Sequence, residues 1–133
     1  MTTAVDIGAG ALAAIGFSFL ARSAGRRREP FFFALGLAGA ALVYLVFALV
    51  RGGWRSVVVE AAGFALFSAL AISGLRQSSL LLALGWLLHG VWGLALHGLW
   101  SAGVTPYGYR WVCVGFDLVA TGYILGRFSG RSS

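Results

Sequence analysis

Few residues in this sequence can do chemistry, and most of them stand where charge is expensive. Glu60, His89, His97 and Asp117 each interrupt a long apolar stretch, and Cys113 precedes Asp117 by four residues. Ionisable groups at membrane depth turn toward the interior of a helix bundle, pair with one another, or line water. A spacing of four puts Glu60, Phe64 and Ser68 along one side of a helix, His89, Gly93 and His97 along a second, and Tyr109, Cys113 and Asp117 along a third. Three elements therefore offer polar stripes to a shared interior. Asp6, Ser68, Tyr109 and Arg110 are secondary candidates. Arg110 precedes Asp117 by two turns, close enough in angle to partner a carboxylate or to reach the headgroups.

Helical rise divides these groups into two layers. His97, Glu60 and Cys113 are expected about 5 to 10 Å below the outer helix ends, and His89 with Asp117 about 14 to 17 Å down. The expected arrangement is an outer cluster of Glu60, His97, Cys113 and Asp6 above a midplane pair of His89 and Asp117. Imidazole and carboxylate suit each other there, because the ring N–H donates to the acid and a shared proton spares the bilayer a net charge. A metal is the other use for such donors, with His89, His97, Glu60 and Asp117 as candidate ligands. The two histidines are about 12 Å apart along one helix and turned by roughly 80°, so a single ion could draw on only one layer. The lone Cys113 admits no internal disulfide, and it reads either as a nucleophile near His97 or Glu60 or as a small inert side chain. Polar side chains that merely hold helices together are the structural alternative for the whole set.

The elements that must position these groups are read from composition and pattern. Of the 133 residues 59% are hydrophobic and 11% charged, with a mean hydropathy of +0.88, whereas soluble domains carry roughly a quarter charged residues. Such a chain has too little interior to hide its apolar surface in water, so lipid is its solvent. Apolar blocks at about 4–20, 31–50, 56–75, 79–100 and 107–127 each have the length of a transmembrane helix. The reading is an all-α polytopic bundle of five antiparallel spans forming one domain over 1–133, held in the cell (plasma) membrane. Pro30 opens the second span where a missing N–H is harmless. The tight links at Arg51–Arg55 and Arg76–Ser78 make sequential spans neighbours.

Orientation follows from the ten basic residues, all arginines. Arg22, Arg26, Arg27, Arg28, Arg76, Arg127 and Arg131 fall on one face, and Arg51, Arg55 and Arg110 on the other. The positive-inside bias places the N-terminus outside and the C-terminus in the cytoplasm, with Trp54, Trp100 and Trp111 near the outer interface. A net charge of +6 does not point to nucleic acid, because the arginines flank apolar segments and form no basic face interleaved with aromatics. Gly36 with Ala40, and Gly122 with Gly126, have the spacing that lets helix backbones approach closely.

The second half resembles a family of small uncharacterised bacterial integral membrane proteins. The resemblance covers about Arg55 to Arg127 and rests on Glu60, His89-Gly-Val-Trp92 with His97, Pro106-Tyr107, and Cys113 with Phe116-Asp117. It departs from that pattern at Gly93 and Leu96, where the family carries an acid and a doubled histidine, and it implies no particular activity. Three functions stay open. One is an intramembrane site that binds or translocates a proton or small solute, a role for which a five-span chain would form a homo-oligomer. The second is a membrane-embedded enzyme, metal-dependent or not, acting on a lipid-soluble substrate. The third is an accessory subunit of a larger membrane complex. The sequence leaves any cofactor open, and the one partner implied by composition is the lipid bilayer.

Overall fold

The computed structural model describes residues 3–99 and 109–128, with the side chains of 96–99, 110 and 128 excepted. Five helices follow one another: α1 (Thr3–Ser23), α2 (Glu29–Arg51), α3 (Trp54–Arg76), α4 (Ser79–Leu99) and α5 (Tyr109–Phe128). Among the described residues there is no strand. The links are short and made by the residues that favour them. Gly25 takes a left-handed φ of 102° between α1 and α2, a conformation open to glycine at little cost. Pro30 lies in the first turn of α2. That helix starts at Glu29, two residues earlier than the apolar run suggests. Gly52 closes it by donating its N–H to the Ala48 carbonyl.

Packing joins α2 to α3, α3 to α4, α4 to α5 and α5 to α1, while α2 also touches α4 and meets α1 only lightly. The first and last helices therefore pair tightly, and glycine is the reason. A Cβ on Gly10 would fall 1.8 Å from the Val112 carbonyl oxygen, and one on Gly115 would fall 2.0 Å from that of Ile7. The spacing argument located this kind of contact elsewhere on α5. Gly122 and Gly126 have nothing within 4 Å of a built Cβ, so they form no helix contact among the described residues. Gly36 does face neighbours, the rings of Phe17 and Trp86.

The interior combines alanines, large rings, Leu37, Leu82 and Ile124 with a minority of buried polar side chains. On α1 the buried stripe is Asp6, Gly10, Ala14, Ser18 and Ala21, whereas Leu12, Phe19 and Leu20 point outward. Helices α1, α2 and α3 are each long and apolar enough to cross a membrane, and Ser79–Ala95 is a shorter apolar stretch.

Candidate functional site

His89 and Asp117 lie at the centre of the bundle. Their side chains are 0% and 3% exposed, and Nδ1 of His89 is 2.9 Å from Oδ2 of Asp117. The imidazole is held from both sides: Tyr44 stacks on it with centroids 5.2 Å apart, and Phe67 meets it edge-on at 5.2 Å. Sequence makes room for this arrangement through glycine. A Cβ on Gly93 would sit 2.5 Å from the Tyr44 hydroxyl, and one on Gly90 would touch Asp117. The clamp fixes one ring nitrogen on the acid. The other, Nε2, is buried and has no hydrogen-bond partner among the described residues. Such a pair can hold a single proton as neutral imidazole with neutral acid, or as imidazolium with carboxylate, and is electroneutral in either form.

Cys113 and Tyr109 belong to the same group. Cys113 sits beside the hydroxyls of Tyr44 and Tyr109, one turn along α5 from Asp117, and Tyr109 packs edge-on against Tyr44 at 5.8 Å. Asp117, Cys113 and Tyr109 also line a cavity of about 280 Å³, whose other walls include Phe17, Trp86 and Phe116. Gly36 and Ala40 of α2, the small-residue pair noted in the sequence, line it as well.

Glu60 is not beside Cys113, its expected neighbour in an outer cluster. Its Oε1 accepts from the Trp92 indole N–H at 3.0 Å, and the ring fits because a Cβ on Gly63 would lie 2.4 Å from Trp92. The physical reason is the packing order. Helix α3 carries Glu60 against α2 and α4, whereas Cys113 rides on α5, which packs on α4 and α1. The intervening helix separates them. Cys113 thus joins the deeper group, and Asp6 is buried on α1 within the stripe that meets α5. His97 falls in α4, but its side chain and that of Arg110 lie outside the described residues, as do Trp100, Pro106 and Tyr107. Ser68 borders a groove between α2 and α3 with Ala38, Ala71 and Ile72. Its hydroxyl has no hydrogen-bond partner among the described residues. Of the four metal candidates His89 and Asp117 meet. Among the described residues no three His, Cys, Asp or Glu side chains gather closely enough to hold an ion.

Four polar contacts escaped the sequence argument. Glu29, fully buried, accepts from Arg127 Nε at 3.2 Å and from the Tyr123 hydroxyl. Arg26 reaches the Arg127 carbonyl at 3.3 Å, so the start of α2 is tied to the end of α5. The signal was the spacing of Tyr123 and Arg127, one turn apart on one face, opposite an acid beside a proline. Trp86 donates its indole N–H to the Phe33 carbonyl at 3.1 Å. Buried indoles usually find an acceptor, so a tryptophan in mid-helix was a pointer to one.

The profile of the family of unknown function DUF6010 matches residues 1–132. The chain belongs to that family. No curated protein and no solved structure matches it. The DUF6010 match takes in α1 and α2 as well as the Arg55–Arg127 stretch that carries the resemblance drawn from motifs. It therefore includes Tyr44, which stacks on the histidine.

Proposed function

We propose that this is a multi-pass protein of the cell membrane in which His89 and Asp117 form a proton-binding centre, through which the bundle binds or passes a proton or a small solute. All five helices span the bilayer in this reading, with the N-terminus outside and the C-terminus in the cytoplasm. Support for lipid comes from the large apolar side chains on the outside of the bundle. Leu12, Phe19, Leu49, Val50 and Leu80 are each more than 60% exposed, while acids and an imidazole occupy the centre. Water would penalise that surface at about 25 cal/mol per Å² of apolar area, and acyl chains would not.

The observation that carries the proton-binding reading is the buried 2.9 Å contact between His89 and Asp117. A buried acid and base that share a proton can exchange it without leaving a net charge in the membrane. The test is purified protein in liposomes enclosing a pH-sensitive dye, with an imposed pH step. Asp117→Asn and His89→Ala are each expected to slow equilibration at least tenfold. Rates equal to those of the unaltered protein in both variants remove the centre.

A further inference from the structure

The cavity beside Asp117 has a shape and a chemistry of its own. Its walls are aromatic: Phe17 meets Phe116 at 5.7 Å in an edge contact, and Trp86 lies tilted over Phe116 at 5.4 Å. Its polar groups, Asp117, Cys113 and Tyr109, all come from one stripe of α5. An apolar enclosure with a few convergent polar atoms is the usual form of a small-molecule site. The volume of about 280 Å³ sets the size of an occupant, since about 150 Å³ of apolar cavity suffices for benzene. One substituted ring fits. Access is also legible. Helices α4 and α5, and α5 and α1, pack closely, whereas α1 and α2 meet lightly, and α2 presents Gly36 and Ala40 to the cavity. The thin wall lies between α1 and α2, so a ligand arrives sideways from the lipid.

We infer that this cavity binds a lipid-soluble phenol, a single substituted ring that lies against Phe17, Trp86 and Phe116 and donates its hydroxyl to Asp117. In the imidazolium–carboxylate form of the pair, Oδ2 accepts from His89, and Oδ1 is the oxygen that receives the ligand. The inference rests on the reading of His89 and Asp117 as a proton-binding pair and names the solute that pair serves. A phenol is the matching chemistry because its hydroxyl is a donor, the group an acceptor-only carboxylate requires.

The probes are 4-methylphenol and its methyl ether, 4-methylanisole, which has the same ring without the donor. Binding to the full chain in phosphatidylcholine nanodiscs is followed by equilibrium dialysis against empty nanodiscs. Saturable binding of the phenol is expected, with the ether about tenfold weaker or more, the size of one hydrogen bond to a charged acceptor. Asp117→Asn lowers affinity for the phenol and leaves the ether unchanged. Gly36→Val and Ala40→Leu fill the cavity and abolish binding of both, each variant being first shown to elute as a single folded species. Gly122→Ala, whose new Cβ meets nothing within 4 Å, binds as the unaltered protein does. Equal affinity for phenol and ether, or undiminished binding in both cavity-filling variants, overturns the inference. Proton exchange in liposomes is read in parallel. If Asp117→Asn slows exchange while the phenol fails to bind, the ligand assignment alone falls, and if exchange is insensitive to Asp117 the reading beneath it falls.

Discussion

Glu29 and Arg127 are unequal partners, and the inequality is measurable. The acid is fully enclosed while the arginine side chain keeps 21% of its surface exposed. Removing the guanidinium strands a buried carboxylate, a change that costs about 3 kcal/mol or more, whereas removing both charges together can be near neutral. Arg127→Met is therefore expected to lose about 3 kcal/mol, Glu29→Gln roughly half of that because its amide oxygen still accepts from Tyr123, and the Glu29→Leu/Arg127→Met pair to recover most of the loss. Reversible unfolding in mixed micelles reads all three, and equal losses in the two single variants would refute the asymmetry. Trp92→Phe is the milder case. It removes the donor to Glu60, and interhelical hydrogen bonds of this kind are worth about 0.6 to 2 kcal/mol. A loss outside that range in the same assay contradicts the assigned role. These residues also mark what the sequence conveyed. Glu60, His89 and Asp117 were conspicuous because nothing around them in the chain is polar. Glu29 was camouflaged by Arg26, Arg27 and Arg28, which read as headgroup contacts, and its partners lie about a hundred residues away. Helical spacing brought His89 and Asp117 to the same depth, but it could not tell that Trp92 would donate to Glu60 or that α4 would stand between Glu60 and Cys113.

Helices are legible from apolar runs, and their faces much less so. The five blocks in the sequence coincide with the five helices to within a few residues, since a run of that length in lipid has no alternative to internal hydrogen bonding. Which glycine meets which neighbour depends on rotation about each axis, and a spacing of four occurs on every side of a helix containing many glycines. That is why Gly122 and Gly126 looked like a contact surface, while Gly10 and Gly115, far apart in the chain, form the closest approach between α1 and α5. The two pairs make opposite predictions. Gly10→Ala and Gly115→Ala push a methyl group into a facing backbone and force the helices apart, so each is expected to destabilise the fold by at least 1 to 3 kcal/mol, the usual range for overpacking. Gly122→Ala and Gly126→Ala meet open space and gain up to about 1 kcal/mol of helix propensity. Thermal unfolding in detergent separates the classes, and a loss of stability in the α5 pair would show that those glycines contact something.

The molecule as a whole is apolar on both sides of its helices. Phe33, Leu37, Phe67, Leu82, Trp86 and Ile124 pack at the centre with alanines and a few acids, and leucine, valine and phenylalanine also face outward. In water the hydrophobic effect would drive those side chains together; in lipid it has nothing to gain from doing so, and association rests on close backbone packing and internal hydrogen bonds. The contact of Gly10 with Gly115's helix, the Trp92–Glu60 bond and the His89–Asp117 pair are the kinds of interaction that remain. In the proposed reading, orientation is set separately, by the arginines near the helix ends. The links on either side of α3 test it directly, because Gly53 precedes that helix and Gln77 follows it. Position 53 has open space around it and Gln77 is exposed, so each accepts a cysteine without disturbing the bundle. In a chain whose Cys113 is replaced by serine, Gly53→Cys should react with a membrane-impermeant maleimide on intact cells. Gln77→Cys should react only after the membrane is opened. The opposite pattern would invert the protein, and equal labelling of both on intact cells would mean that α3 does not cross the bilayer.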